Sequence, residues 1–402
     1  MMKKISGGLS AIPGFLSTGL HCGIKTSRKP DLAVIAADHP CTAAGVFTTN
    51  RVQAAPVLVT RKHIRNGTLQ AVVINSGMAN ACTGKPGLLI AQKMAQLTGK
   101  ELAISPYLVG VSSTGKIGAP PSLKALRTGI PRAVSRLKPN GGRKAAEAIM
   151  TTDTFPKETA VRFKLLGKTV TLGGIAKGSG MIHPDMATML AFLTTDLKIS
   201  PGLLKKMLKS AVDRSFNMIS VDGETSTNDM VLCLANGRAE NRSLERSPAA
   251  KKVFQAALDA VCAELAKMIA RDGEGATKMA EIRVIGASTQ TAARRIARRI
   301  SVSPLVKTAF LGEDANWGRI ASAAGAAGVA FDPDRVSISF DHVPVVRNGI
   351  GLGETAEKKA ARVLRKKSFT VTLNLRSGTH SATAWTCDLT NDYIRINADY
   401  RT

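Results

Sequence analysis

Between Gly178 and Phe192 the chain reads GSGMIHPDMATMLAF, and one hydroxyl, that of Thr188, stands at the mouth of an apolar, strand-like run behind the small residue Ala187. A threonine hydroxyl is a weak nucleophile until a base takes its proton, and no Ser-His-Asp arrangement lies nearby in the sequence. His183 is five residues away, which on an extended segment points it to the other face. A base becomes available if the Ala187–Thr188 bond is cut. Thr188 then carries a free α-amine, with an ordinary pKa of about 8, beside its own hydroxyl. The same hydroxyl can make the cut by attacking the preceding carbonyl, and Ala187 leaves room for that tetrahedral centre. Spacing alone favours a threonine that only faces a core, so the pattern by itself does not carry the self-cleavage reading.

A second stretch, GVSSTGKI from Gly110 to Ile117, satisfies G-x-x-x-x-G-K after a strand-like run. A P-loop needs Ser or Thr next, to hold magnesium, and hands its phosphate directly to a helix N-terminus. Ile117 and the GAPP that follows meet neither requirement. The same atoms suit another use: the Thr114 hydroxyl and the unhindered Gly115 N–H are two donors that can point at one developing oxyanion. The six cysteines and six histidines are dispersed with no C-x-x-C pair, so no metal cluster, cofactor motif or disulfide framework is expected.

The elements that must position these groups alternate along 402 residues, 44% of them apolar, enough for two or three packed domains. Strands are expected at Asp31–Ala37, Ala44–Thr49, Gln70–Gly77 and Tyr107–Gly115, each apolar, β-branched and closed by turn residues. Helical spacing marks Leu88–Gly99, Ser122–Leu137 and Gly142–Met150. A hairpin is expected over Thr159–Gly178, turning at Gly167-Lys168, then a helix opened by Pro201 and a strand from Asp229. A long helix follows at Pro248–Ala270, a strand from Met279, another strand at Pro304–Phe310, and a Gly/Ala-rich turn and helix. The C-terminal part reads as strands at Val336–Phe340, Phe369–Leu375 and Ser381–Thr386 with a helix at Glu357–Arg365. Strand–helix alternation of the parallel-crossover kind is not kept up, so the fold class is α/β with mostly antiparallel strands.

The formal net charge of +27 attracts polyanions by field alone, which raises a nucleic-acid-binding reading. Against it, aromatic residues make up only 4%, and the densest basic cluster, Ala292–Ile300, carries Ile296 and Ile300 four apart, as on an amphipathic helix with a solvated face. No apolar run approaches the roughly 20 residues that span a bilayer, and Gly7, Gly8, Pro13 and Gly14 interrupt the N-terminus before a signal-type region forms. A cytoplasmic protein without membrane or nucleic-acid partners is the expectation.

The segment Lys177–Leu190, KGSGMIHPDMATML, closely resembles the self-cleavage segment of the ornithine acetyltransferase family, the glutamate N-acetyltransferases of arginine biosynthesis. Further blocks match in order across almost the whole chain: NSGMANACTG (Asn75–Gly84), SSTGKIG (Ser112–Gly118), TTDT (Thr151–Thr154), DGETSTND (Asp222–Asp229), GEDANWGRI (Gly312–Ile320) and the terminal YIRINADYRT. The resemblance implies a layered α/β sandwich with a smaller C-terminal domain around residues 285–402, and cleavage into an α chain, 1–187, and a β chain, 188–402. It implies Thr188 as nucleophile, its α-amine as base, and Thr114 and Gly115 as the oxyanion hole. Substrate contacts would fall on Thr151, Lys177, Thr188, Glu274, Asn397 and Thr402. The implied substrates are N2-acetylornithine and glutamate, with acetyl-CoA open as a second donor, and the implied assembly is α2β2. A self-processed amidohydrolase or aminopeptidase remains the enzymatic alternative. Three positions depart from the family pattern: Met78, Lys116 and Asp185, the last two flanking the oxyanion and nucleophile segments.

Overall fold

A computed structural model describes residues 2–182 and 189–399. Its strands are β1 (Lys3–Ile5), β2 (Phe15–Leu20), β3 (Leu32–Phe47), β4 (Thr68–Met78), β5 (Val109–Lys116), β6 (Lys157–Leu165), β7 (Lys168–Lys177) and β8 (Leu190–Thr195). They continue with β9 (Ile219–Ser220), β10 (Met230–Ala235), β11 (Met279–Ala287), β12 (Ser337–Phe340), β13 (Val343–Arg347), β14 (Ile350–Gly351), β15 (Ser368–Asn374) and β16 (His380–Cys387). The helices are α1 (Ala55–His63), α2 (Gly84–Glu101), α3 (Leu123–Val134), α4 (Gly142–Ala148), α5 (Pro201–Arg214) and α6 (Pro248–Arg271). After them come α7 (Gln290–Ser301), α8 (Pro304–Leu311), α9 (Trp317–Gly325), α10 (Glu354–Leu364) and α11 (Asn391–Asp399).

Two sheets carry the architecture. The first runs β1-β6-β7-β8-β10-β3-β4-β5, and the second runs β14-β13-β12-β15-β11-β16-β9. Most neighbours are antiparallel; β8–β10, β4–β5, β11–β15 and β9–β16 are the parallel pairs. The side-chain period of two explains how one sheet serves separate cores. In β3, Val34 and Ala36 join the core under α2 and α3, while Ala33 and Ile35 face the opposite core with α4. In β10, Leu232 and Leu234 share that second core, whereas Val231 and Cys233 face α5 and α6. The 24-residue α6 is buried at Phe254, Leu258, Val261, Leu265 and Ile269, spaced as one helical stripe. It packs on β6 and β7 of the first sheet and on β9 and β16 of the second, which makes it the layer between them. Among the described residues no helix is long and apolar enough to cross a membrane.

Several elements differ from the sequence reading. Pro304–Phe310 is not a strand but most of α8: the Ser303 side chain accepts from the Val306 N–H and Pro304 takes the first turn, where its missing N–H costs nothing. The two short strands expected at 31–37 and 44–49 are one strand, β3, continuous through the polar Asp38-His39-Pro40. Its length gives β2 and β10 room to pair end to end along one edge while β4 takes the other. The hairpin turn lies at Leu166-Gly167, both with positive φ, one residue earlier than expected. The elements β1, β2, β9, β13, β14, α1 and α11 have no counterpart in the sequence reading.

Gly19 on β2 lets α4 approach so closely that a Cβ there would overlap the Lys144 carbonyl. Gly19→Ala should therefore lower unfolding stability by about 1–3 kcal/mol, read from the urea midpoint. An unchanged midpoint would mean that α4 moves off β2 without cost.

Candidate active site

At the ends of β5 and β7 a cavity of about 230 Å³ opens between the two halves of the fold. Its wall includes Thr114, Gly115, Thr151, Lys177, Glu274 and Asn397, six residues expected from the sequence and distant in it. The remaining expected positions, Ala187, Thr188 and Thr402, lie outside the described residues, as do His183 and Asp185. Strand register nevertheless fixes where the chain re-enters. Leu190, the first residue of β8, lies opposite Lys177 on one side and Met230 on the other.

Thr114 and Gly115 end β5 in a close approach to β4. Gly115 has φ +125°, and a Cβ there would overlap the Gly77 backbone, so no other residue fits without moving a strand. The strand end is tied sideways as well. Ser113 Oγ donates to Asn75 Oδ1 at 2.6 Å, and Asn228 Nδ2 donates to the carbonyls of Ala79 (2.6 Å) and Ser113 (2.8 Å). Lys177 Nζ donates to Thr114 Oγ1 at 3.2 Å. An ammonium can only donate, so the Thr114 oxygen must accept there, which leaves its own O–H free to donate elsewhere.

Lys177 is 2% exposed. Burial and, to a lesser degree, the Lys157 cation push its pKa below the usual lysine value, with Asp153, Glu274 and Asp229 opposing. The cation most responsible for order beneath the cavity is Lys157, fully buried between Asp153, at 2.7 Å, and Asp272. Asp153 also accepts from the backbone N–H of Thr151 (2.9 Å) and of Gly178 (2.7 Å). Burial raises its carboxyl pKa, but the Lys157 and Lys177 cations outweigh that and hold it well below the ordinary range. Asp272 in turn accepts from both the N–H and the hydroxyl of Thr154, and its carbonyl accepts from Ser179 Oγ. The Glu274 N–H reaches Ser179 O at 3.0 Å, and Glu274 Oε2 accepts from Asn397 Nδ2 at 2.9 Å. A Cβ on Gly180 would run into the Glu274 carboxylate.

The sequence reading assigned no role to Asp153, Lys157, Asp222, Asn228, Asp229, Asp272 or Tyr393. Four of them lie inside the quoted TTDT and DGETSTND blocks, and that is the signal available for them. Asp222 and Tyr393 line the cavity, and Tyr393 has its phenol pKa raised by burial and by the charges of Asp222 and Glu274. Lys116 is exposed, and Met78 packs against the core of α2 and α3, so neither lines the cavity. After Lys116 no helix begins until Leu123, which agrees with rejecting a P-loop at Gly110–Ile117. The arrangement can present a hydroxyl and a backbone N–H to an oxyanion, and can hold a ligand bearing charges of both signs.

Replacing Lys157 by Met should cost about 3–5 kcal/mol, because two carboxylates are left buried without their cation. Asp153 is more acidic folded than unfolded, so its contribution is complete above about pH 4 and fades as the pH falls further. The stability gap between wild type and Lys157→Met should accordingly narrow from pH 5 to pH 3 in denaturant titrations. A gap that does not change with pH would contradict the assigned pairing.

Comparison with known proteins gives a consistent set of relatives. A model described as the ArgJ family matches residues 16–402. The arginine biosynthesis bifunctional protein ArgJ of Symbiobacterium thermophilum is 52% identical over 405 residues, covering 100% of both chains. That of Thermosynechococcus vestitus is 46% identical over 415 residues, covering 100% of this chain and 99% of its own. Among solved structures, ArgJ from Bacillus halodurans aligns at 42% identity and TM-score 0.49, over 52% of this chain and 97% of that one. The ornithine acetyltransferase of Mycobacterium tuberculosis, complexed with ornithine, aligns at 38% identity and TM-score 0.44, over 46% and 98%.

Proposed function

The chain belongs to the ArgJ family, and from that premise we propose that it is a self-processing acyltransferase of arginine biosynthesis, moving an acetyl group from N2-acetylornithine to glutamate. The observation that carries this reading is the meeting of Thr114, Gly115, Lys177 and Glu274 around one cavity, beside the strand that begins two residues after Thr188.

The Ala187–Thr188 bond is cut by the Thr188 hydroxyl, giving an α chain of residues 1–187 and a β chain of residues 188–402. The freed α-amine takes the proton from Thr188 Oγ as it attacks the acetyl carbonyl of N2-acetylornithine. Thr114 O–H and Gly115 N–H donate to the oxygen that becomes negative. The C–N bond breaks, ornithine leaves with the proton returned from the ammonium, and an acetyl-threonine ester remains. Glutamate's amine then attacks that ester, its proton passes to the α-amine and back to Thr188 Oγ, and N-acetylglutamate departs. Lys177 supplies positive charge and Glu274 and Asp222 negative charge, which complements a ligand with one carboxylate and one ammonium. Thr151, Asn397 and Thr402 complete the proposed substrate contacts. Acetyl-CoA is the second donor proposed for the same site; the relatives carry the name bifunctional. The paired α and β chains assemble as α2β2 in the cytoplasm.

Intact mass under denaturing conditions should show two fragments meeting between Ala187 and Thr188, and one full-length species for Thr188→Ala. An uncut wild-type chain with activity would overturn the assignment of the base. Thr114→Ala should lower kcat by about a hundred- to a thousandfold with little change in KM, the usual loss for one oxyanion donor. A loss below about threefold would remove Thr114 from that role. Ornithine release should rise with added glutamate; a rate indifferent to glutamate would indicate a hydrolase instead.

A further inference from the structure

The loop from Asp222 to Asp229 touches both shoulders of the segment that contains residues 183–188. On the near side Asp222 accepts from the N–H of Met181 through Oδ2, at 2.6 Å, and of Ile182 through Oδ1, at 2.8 Å. The Ile182 carbonyl accepts in return from the Val221 N–H at 2.8 Å and from Ser220 Oγ at 3.2 Å. On the far side Asp229 Oδ1 accepts from the Met189 N–H at 2.9 Å. That nitrogen is bonded to the carbonyl carbon of Thr188.

The same loop is anchored to the wall that carries the oxyanion donors. Asn228 holds the carbonyl of Ser113, the residue before Thr114, as well as that of Ala79. The carbonyls of Thr225, Ser226 and Thr227 accept from Asn50 Nδ2, Thr48 Oγ1 and the Ala54 N–H. One frame therefore references both ends of the nucleophile segment to the Thr114–Gly115 donors. Asp229 is fully buried, and among the described residues its Oδ2 has no hydrogen-bond partner. Burial pushes the pKa of this carboxyl well above its ordinary value, and a buried polar oxygen without a partner calls for an explanation beyond packing.

We propose that Asp222 and Asp229 are positioning residues for self-cleavage: two carboxyl groups on one loop, itself tied to the Ser113 carbonyl, hold the backbone N–H groups of Met181 and Ile182 and of Met189, the residues that flank 183–188. The inference rests on the reading of Thr188 as the self-cleaving residue. Misplacing reacting groups by about an ångström can cost on the order of a hundredfold in rate, so loosening either clamp acts on the cut more than on the fold. After the cut, Asp222 belongs to the β chain and Met181 and Ile182 to the α chain, so the near clamp becomes a contact between the two.

Freshly synthesised Asp222→Asn and Asp229→Ala chains, followed by denaturing mass spectrometry over time, test this, with thermal melting of the same samples. Asn at 222 keeps the shape but halves the carboxylate's acceptors. Ala at 229 removes the Met189 anchor, and Asp229→Asn, which keeps one acceptor oxygen for it, should restore most of the rate. Expected are folded, cooperatively melting chains cut at least tenfold more slowly than wild type, with rescue in Asp229→Asn. Cutting at the wild-type rate in a folded variant would overturn the clamp. Failure to fold would also count against it, because the carboxylates would then be holding the fold rather than the segment. Wild type run alongside separates the two ideas: an uncut wild-type chain defeats the reading of Thr188, whereas a cut wild type with equally fast variants defeats only the clamp.

Discussion

One buried ammonium organises the site. Lys157 stands between Asp153 and Asp272, two carboxylates from segments more than a hundred residues apart, and neither carboxylate stops there. Asp153 fixes the backbone at Thr151 and Gly178, so it sets both a cavity wall and the exit from Lys177. Asp272 fixes Thr154, and its carbonyl holds Ser179, which holds Glu274. Charges taken out of water are tolerated only when every remaining lone pair and proton is used, and this triad uses them to hold the loops around the cavity. Thus the same contacts that offset the cost of desolvation also fix the geometry.

The sheet provides the second ordering element. Lys177, Leu190 and Met230 are neighbours across three adjacent strands, so the end of β7 and the starts of β8 and β10 lie side by side at one edge of the cavity. Strand register is rigid where both faces are buried, since a slip of one residue would exchange the two cores on either side of β8 and β10. Leu190 and Phe192 face one core while Ala191 and Leu193 face another, which leaves no freedom in where the chain after Thr188 enters. The close passage of Gly115 over Gly77 then places Thr114 and Gly115, the proposed oxyanion donors, against the same edge.

Much of this fold was legible as pattern. The stripe of α6, the β6–β7 hairpin and the apolar runs of β4, β5 and β10 announce themselves by period and composition. Ile296 and Ile300, read as the buried side of a basic amphipathic helix, are both fully buried on α7. What failed did so for local reasons: Ser303-Pro304 is a helix start hidden ahead of a β-like composition, and the polar centre of β3 masks a single long strand. The candidate site was read in a different way. Thr114 was singled out by its hydroxyl beside the unhindered Gly115 N–H, whereas Lys177 and Glu274 are unremarkable as isolated residue types and came only through the resemblance to a known family. The Lys157 triad was not legible, because nothing local marks a lysine that will meet a carboxylate 115 positions away.

The central claim is that Thr188 carries the acetyl group between two substrates. Incubating the processed enzyme with N2-acetylornithine in the absence of any acceptor, quenching in acid and weighing both fragments tests it most directly. The account predicts one acetyl group on the fragment that begins at Thr188, none on the other, and its discharge within one turnover when glutamate is added. An acetyl group on the fragment of residues 1–187, or transfer to glutamate with no acetylated fragment at any time, would contradict it.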